Sequence, residues 1–258
     1  MRVKLSNARG AEVVLTDEAD PWVRLIEGGV DGLLDYEGDT WLQESGSGVG
    51  SLYLGSGLRA RTVYLDVWFM ADASSTAAGS WKRLARFLGD GRCVIKVLDK
   101  EERSTGAIFE GVTFKGKYDP TKEKQRVAAR LAFKLPKPVW VADTVRIAKS
   151  KVSILNEGDY PLHPQVLVAN SNNWVIRAGD KTYEMPRDIA QNAQVLVDFD
   201  PAARQVVSSS DDLVWARMNG VRLYAPVMPG ESKDFSVSYT GGNAWVQFRY
   251  AYSFRNPF

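Results

Sequence analysis

The stretch that decides the fold is Arg61-Thr62-Val63-Tyr64-Leu65-Asp66-Val67-Trp68-Phe69-Met70. Its β-branched and aromatic residues suit the pleated, packed surface of a strand. A second stretch, Gln125–Lys134, alternates between apolar and polar residues, as a strand half exposed to water does. Its apolar face is formed by Val127, Ala129, Leu131 and Phe133. These two stretches predict a sheet with one buried face.

One amphipathic helix is predicted over Ser80–Leu88, between the two strands. Its apolar face would contain Trp81, Leu84, Ala85 and Leu88. Ser74 or Ser75 is the expected N-cap, and Gly89 can adopt the left-handed conformation that ends a helix. A single helix among strands is expected to cover the apolar face of a sheet.

A hairpin is predicted between Val94 and Lys117, where two strand-like runs flank the polar turn Asp99-Lys100-Glu101-Glu102. Further on, Pro136-Lys137-Pro138 breaks the pattern because proline lacks a backbone donor. We therefore expect a domain boundary near residue 145, which divides the chain into residues 1–145 and 146–258.

The second part reads as strands separated by turns, without a helical period. The candidate strands are Lys151–Leu155, Gln165–Ala169, Trp174–Arg177, Gln194–Phe199, Asp234–Tyr239 and Ala244–Phe254. This pattern predicts a sandwich or a barrel.

A glycine-rich stretch, Gly46–Gly57, precedes the first strand. A phosphate-binding loop would need a Lys-Ser/Thr pair and a following helix, and neither is present. We interpret the stretch as a long flexible loop.

Composition excludes several classes of protein. The chain has 258 residues, 45% of them hydrophobic and 25% charged, as is ordinary for a globular protein. A net charge of +2 argues against nucleic-acid binding, which normally needs a basic excess. We expect no signal peptide, because no apolar h-region follows the charged start, and no membrane insertion, because no window approaches ~20 apolar residues. The lone Cys93 cannot form an internal disulfide and is interpreted as a small buried residue.

No constellation of reactive residues is visible, so we predict no catalytic, metal or cofactor site and no enzymatic activity. The only histidine, His163, lies between two prolines and has no partner ligands nearby in sequence. The carboxylate pairs fall where turns are expected, which favours solvated turn residues over an acid and base pair. These pairs are Glu101/Glu102, Asp198/Asp200 and Asp211/Asp212.

The eight tryptophans divide into two groups by context. Those inside periodic apolar runs, Trp68, Trp81, Trp140 and Trp245, are predicted to pack in the core. The others are less constrained, and one or more of them is a candidate for an interface: Trp22, Trp41, Trp174 and Trp215.

Two blocks of sequence resemble the distal tail proteins of phages with long flexible tails. The first block is Trp22-Val23, Gly32-Leu33-Leu34, the glycine-rich stretch, Leu58-Arg59-Ala60-Arg61, the strand to Met70, the helix and the hairpin. This order resembles the N-terminal belt domain of that family. The second block runs from Leu155-Asn156-Glu157-Gly158 to Pro164, through Asp198-Phe199-Asp200 and Val227-Met228-Pro229-Gly230-Glu231, to Trp245–Phe254. It resembles the galectin-like C-terminal domain.

The resemblance implies a mainly β fold. Its first part would be an N-terminal β-sandwich or split-barrel belt domain with one helix and a hairpin, and its second part a galectin-like β-sandwich. The implied function is a homo-hexameric ring at the distal end of the virion tail, made in the host cytoplasm. One face of the ring would meet the tail tube protein and the other the tail-tip protein. The C-terminal domain would project outward and could hold receptor-binding or side-fibre proteins. The galectin sugar motif is absent, so carbohydrate binding is not carried over.

In a closed ring of identical subunits, each subunit needs two different interfaces, one for each neighbour. We expect such contacts, between subunits or along the lumen, in Gly46–Arg61 and Asp99–Arg103. The candidate interface residues are Gly46, Gly48, Gly50, Tyr53, Arg59, Arg61, Lys100 and Arg103.

Three alternatives remain open from the sequence. A carbohydrate-binding module or receptor-binding protein would need an aromatic platform with polar neighbours. A glycoside hydrolase would need two carboxyl groups about 5–10 Å apart in one cleft. Another tail component, such as a tube protein, would differ in ring stoichiometry and partners.

Overall fold

A computed structural model describes most of the chain. The described residues are 1–16, 22–33, 38–44, 51–71, 76–115, 126–187, 190–211, 214, 216–218, 220–240, 243–255 and 257–258, with the backbone alone for 38–44, 51–58 and 191–192. They form two compact units, Met1–Val141 with Arg255–Phe258, and Ala142–Phe254.

The first unit is built around one large antiparallel sheet. Its elements are β1 (Arg2–Asn7), β2 (Glu12–Val14), β3 (Val23–Asp31), β4 (Gly38–Glu44), β5 (Ser51–Leu58), β6 (Arg61–Met70), α1 (Ala77–Leu88), β7 (Arg92–Leu98), β8 (Glu102–Phe114), β9 (Arg126–Leu135) and β10 (Trp140–Ala142). The main path of the sheet runs β2-β1-β7-β8-β9-β6-β3. Strands β4 and β5 form a separate two-stranded sheet.

The core of this unit lies on one face of the sheet. Val63, Leu65, Val67 and Phe69 of β6 are fully buried, and so are the facing apolar residues of β9. Helix α1 lies against this face, where the Trp81 ring contacts Phe69 edge-on at 5.7 Å between centroids. Both predicted strands and the β7–β8 hairpin are confirmed.

The helix is confirmed, but two details of its prediction are wrong. It begins at Ala77 with Thr76 as N-cap, and the Thr76 hydroxyl accepts a hydrogen bond from the Gly79 amide. Ala85 is exposed, whereas Ser80 is buried and donates a hydrogen bond to the Met70 carbonyl at 2.6 Å. A small polar residue can face the core when a backbone acceptor satisfies its hydroxyl, and sequence periodicity does not register this.

The long-loop interpretation of Gly46–Gly57 is wrong for residues 51–57, which belong to β5. Gly55 pairs with Trp41 and Gly57 with Asp39 in the hairpin with β4. Backbone hydrogen bonds hold this ladder whatever the side chains, so glycine content alone does not exclude a strand. Residues 45–50, including Gly46, Gly48 and Gly50, lie outside the described residues.

The second unit is a sandwich of two antiparallel sheets. Its elements are β11 (Val145–Ile147), β12 (Lys151–Leu155), β13 (Gln165–Ser171), β14 (Asn173–Ala178), β15 (Lys181–Glu184), β16 (Ala190–Asp198), β17 (Val206–Ser208), a 3₁₀ turn (Ala216–Met218), β18 (Ser232–Thr240), β19 (Trp245–Tyr250) and β20 (Ser253–Phe254). A five-stranded sheet runs β11-β19-β13-β16-β17 and a four-stranded sheet runs β12-β18-β14-β15. Inward residues of both sheets, such as Val166 and Phe248 on one and Ile176 and Phe235 on the other, share one core. The prediction of a mainly β fold with a helix and a sandwich is confirmed.

The tryptophan assignments hold only in part. Trp140 is fully buried, as predicted. Trp68 is instead half-buried on the outward face of β6, and Trp245 is 38% exposed because it begins β19 on the outward face of its sheet. Trp22 and Trp174 are 2% exposed, so neither is available for an interface. The side chains of Trp41 and Trp215 are outside the described part of the chain.

Candidate functional site: surfaces for assembly

The candidate interface residues lie on two separate segments of the first unit. Arg59 is exposed between β5 and β6, and the Arg61 guanidinium donates a hydrogen bond to the Leu33 carbonyl at 2.9 Å. Of Tyr53, on β5, only the backbone is described. These residues therefore belong to the junction between the β4–β5 hairpin and the main sheet.

The second segment is the turn between β7 and β8. Lys100 is exposed at its tip. Arg103 is instead anchored, because its Nε donates to the Glu101 carboxylate at 2.9 Å and its Nη1 to the Phe258 carbonyl at 2.7 Å. Arg103 thus shapes this turn, while Lys100 is the group that a neighbouring molecule could reach.

An ion-pair network that sequence reasoning missed covers the outer face beside this turn. Lys4 Nζ lies 2.8 Å from Glu102, and Lys96 Nζ lies 2.5 Å from Glu12. The hydrogen bond from Lys4 lowers the pKa of Glu102, and the hydrogen bond to Glu12 raises the pKa of Lys96. Its members come from β1, β2, β7 and β8, so only the register of four strands brings them together.

The outer face of β6 and β9 carries cations stacked on aromatic rings. The Arg126 guanidinium lies 4.8 Å from the Trp68 ring centroid, and that of Arg130 lies 5.3 Å from Tyr64. Arginine with tryptophan and tyrosine is the composition that dominates protein interfaces. The alternation of β6 predicted its inward residues; its outward residues form this surface.

Asp66 lies on that face between Arg130 and Lys115. Its carboxylate accepts hydrogen bonds from Arg130 Nε at 2.8 Å and from Lys115 Nζ at 2.5 Å. The hydrogen bond from Arg130, opposed by burial and reinforced by Lys115, lowers the pKa of Asp66 to about 2. Gly29 of β3 lies so close that a Cβ there would stand 2.8 Å from the Asp66 carbonyl oxygen. A larger residue at 29 would therefore push β3 away from β6.

In the second unit, Asn156 and Gly158, from the block that carries the family resemblance, form a buried set of hydrogen bonds that we call the Asn156 clamp. Asn156 is fully buried, and its Nδ2 donates to the carbonyls of Tyr160 and Val227, both at 2.8 Å. Its Oδ1 accepts a hydrogen bond from the Gly158 amide at 2.9 Å. Gly158 approaches the backbone of Ser253, where a Cβ would stand 2.7 Å from the carbonyl oxygen. Asn156 and Gly158 thus hold the segment 156–160 against Val227 and against β20.

The described residues show no reactive cluster. Burial raises the pKa of the Cys93 thiol to about 12, so the reactive thiolate is scarce at neutral pH. The Asp198 carboxylate accepts hydrogen bonds from Gln165 and from the Asp200 amide, which makes it a turn-forming group. No set of three metal-binding side chains occurs in the described ranges.

No helix among the described residues is long and apolar enough to cross a membrane.

The fold itself is that of phage tail hub and baseplate proteins. The crystal structure of the SPP1 Dit protein (gp 19.1), a paradigm of the hub adsorption apparatus in phages infecting Gram-positive bacteria, matches with a TM-score of 0.69 at 13% identity. The match covers 98% of this chain and 99% of that one. Chains of the activated phage P2 baseplate with Ca and with Sr match at TM-scores of 0.54 and 0.53, with 9% identity and coverage of 96% of this chain and 97% of theirs. The resemblance stated from the sequence is confirmed as a shared fold. No protein-family profile and no curated protein sequence matches the chain.

Proposed function

We propose that this chain is a structural protein of the phage tail tip, the distal tail protein that forms the hub of the adsorption apparatus. The observation that carries the proposal is the match to SPP1 Dit over nearly the full length of both chains. A match confined to one unit would support only a shared module. Here both units match in one chain, as expected if they act together.

The proposed assembly is a homo-hexameric ring at the distal end of the virion tail. One face of the ring binds the tail tube protein and the other the tip protein, with receptor-binding or side-fibre proteins attached further out. Coverage of 96% of this chain by the P2 baseplate chains supports a role inside a multi-protein tail structure.

The β4–β5 hairpin supports self-assembly. It forms its own two-stranded sheet and pairs with no other strand among the described residues. An isolated hairpin is only marginally stable in water, so packing against another molecule would stabilise it. We therefore assign Gly46, Gly48, Gly50, Tyr53, Arg59 and Arg61 to the ring interface, and Lys100 and Arg103 to a second contact or to the lumen.

The proposed role is non-enzymatic. The Asp66 and Glu102 carboxylates form ion pairs, and the Asp198 carboxylate accepts the Asp200 amide in a turn. The His163 ring centroid lies 6.2 Å from that of Tyr224, and Cys93 is a buried thiol. These roles are structural.

Electron microscopy of the purified chain, alone and co-expressed with its tube and tip neighbours, tests the proposal. Sixfold rings are the expected result. Monomers under every condition would refute the ring, and cleavage of host-wall glycans by the purified chain would refute the non-enzymatic role.

Deleting Gly46–Gly57 tests the hairpin. We expect rings to disappear while both units stay folded, because β4 and β5 share no ladder with the described strands of the main sheet. Circular dichroism checks the fold and micrographs check the rings. Intact rings from the deletion would contradict the assignment.

A further inference from the structure

The two sheets of the second unit end in four edge strands of unequal length. A strand at the edge of a sheet has backbone N–H and C=O groups without a partner strand, and short edge strands limit their number. Three of these edges are short, since β11 and β17 have three residues each and β15 has four. The fourth, β12 (Lys151–Leu155), has five residues and contains no bulge or proline. It is the longest regular edge among the described strands of this unit.

Hydrogen bonds at the two ends of β12 show which of its residues face the open edge. The Val237 amide donates to the Ser150 carbonyl at 2.8 Å, and the Asn156 amide donates to the Glu231 carbonyl at 3.0 Å. Both bonds follow the register of β12 with β18. Because hydrogen-bonded pairs alternate along an antiparallel ladder, the even-numbered residues bond to β18 and the odd-numbered residues face outward. The outward set is Lys151, Ser153 and Leu155.

The outward residues of β12 are accessible to a partner. All three of them are exposed, and no described strand lies on their side of the sheet. The N–H and C=O groups of Ser153 and Leu155 are therefore without a partner strand. Edges of this kind accept an extended segment of another chain, which adds one strand to the sheet.

Charge and apolar surface vary along this edge. Lys151 is exposed at its start and Glu157 is exposed just past its end, and neither forms an ion pair with any described residue. Leu155 lies between them and is 45% exposed. Side chains directly opposite each other on neighbouring strands interact, so these three residues define what a matching strand carries. It needs an acidic residue opposite Lys151, an apolar residue opposite Leu155 and a basic residue opposite Glu157.

We propose that the β12 edge binds an extended segment of another protein by strand addition, with the segment antiparallel to β12. The backbone groups supply the affinity, because only another backbone matches the regular spacing of N–H and C=O groups along the edge. The side chains supply the specificity described above. Pairing of two β12 edges about Ser153 would instead place each Lys151 opposite a Leu155, so charge and apolar surface would not be matched. The inference goes beyond the proposed function and needs the second unit but not the ring.

Binding of a fluorescent peptide to the full-length chain tests the proposal. The probe is Lys-Thr-Val-Thr-Val-Thr-Glu, which, antiparallel to β12, places its lysine opposite Glu157, its valines opposite Leu155 and Ser153, and its glutamate opposite Lys151. We expect saturable binding below about 1 mM by fluorescence anisotropy. Hydrogen exchange should become slower over residues 151–155. The same peptide with its second valine N-methylated lacks the N–H that faces Ser153 and should bind about tenfold more weakly or worse.

Three variants of the chain locate the binding site. Ser153→Pro removes an N–H that faces the open edge and no bond to β18, so we expect a folded chain that binds the probe about tenfold more weakly or worse. Ser153→Ala loses the hydroxyl contact with Ser232 at 3.1 Å but keeps the N–H, and should bind normally.

Thr182→Pro is the matched control on β15, the opposite edge of the same sheet. Thr182 also faces outward, because the Met185 amide donates to the Trp174 carbonyl in the register that pairs β14 with β15. This variant should bind the probe as the unchanged chain does. Circular dichroism checks that every variant is folded.

The inference fails if the chain shows no saturable binding up to about 1 mM probe. It also fails if the N-methylated probe binds as well as the unmodified one, or if Ser153→Pro binds as well as Thr182→Pro. Dimers of the chain without probe that Ser153→Pro abolishes, seen by sedimentation velocity, would assign the edge to a second copy and overturn the proposal. Sixfold rings without probe binding would leave the proposed function standing, whereas probe binding without rings would leave only this inference.

Discussion

Asp66 in the first unit and Asn156 in the second are both buried polar side chains at the junction of several segments, yet they are satisfied differently. Asp66 is a carboxylate held by two cations that remain partly exposed, with side-chain exposures of 39% for Arg130 and 44% for Lys115. Asn156 is a neutral amide whose three hydrogen bonds all involve backbone groups. The comparison teaches that a charge is tolerated where water still reaches its partners, whereas a fully dry site needs an amide.

The largest expected effect is that of Asn156→Ala. The substitution leaves the Tyr160 and Val227 carbonyls and the Gly158 amide without their partner, at a cost of about 3–4 kcal/mol to the second unit. Hydrogen exchange resolved by mass spectrometry should show faster exchange over residues 142–254 and little change in the first unit. Asn172→Ala, at an exposed position, is the control; equal exchange in both variants would show that the clamp contributes nothing.

Asp66→Asn is expected to have an intermediate effect that depends on pH. The folded pKa of about 2 lies below the ordinary value of 3.8, so the ion pairs stabilise the fold above pH 3.8 and are lost as the pH falls towards 2. Because both cations are partly exposed, we expect a contribution of about 1–2 kcal/mol.

Urea unfolding of the unchanged chain and Asp66→Asn at pH 7 and pH 2.5 measures this contribution. The difference in free energy of unfolding between the unchanged chain and Asp66→Asn should be smaller at pH 2.5 than at pH 7. Asp31→Asn, which removes a 61% exposed carboxylate 3.9 Å from Arg130, is the matched control and should cost far less. A difference in free energy of unfolding that is the same at both pH values would refute the assignment of this stability to the ion pairs of Asp66.

The smallest expected effect is that of Glu102→Gln, in the network with Lys4 and Lys96. Partly exposed ion pairs contribute about 0.5–1 kcal/mol, and salt screens them. The decrease in free energy of unfolding caused by Glu102→Gln should therefore be measurable by urea unfolding at low ionic strength and should be smaller at 1 M NaCl. A loss independent of salt would point to packing of the side chain instead.

Strand bounds were predictable where alternation and composition agree. Arg61–Met70 and Lys151–Leu155 coincide with β6 and β12. The predicted C-terminal strand Ala244–Phe254 is instead two strands, β19 and β20, separated at Ala251–Tyr252. An uninterrupted aromatic run does not reveal such a break, because at the break the Tyr252 carbonyl accepts a hydrogen bond from the distant Ala142 amide at 3.0 Å.

The candidate surfaces were much harder to predict than the strands. The network of Lys4, Glu12, Lys96 and Glu102 has no sequence signature, since its members lie far apart along the chain. Trp245 was assigned to the core because its run is apolar, yet its position in the pleat turns it outward.

By itself the sequence determined the strand-rich class, the inward face of β6 and β9, the helix, and the turn chemistry around Asn156 and Gly158. These follow from local preferences and from the two-residue period of a strand, which act within a few residues. Only the tertiary structure decided which charges meet, which tryptophans are exposed and that β5 is a strand. Strand register sets those outcomes, and register depends on partners that lie tens of residues away.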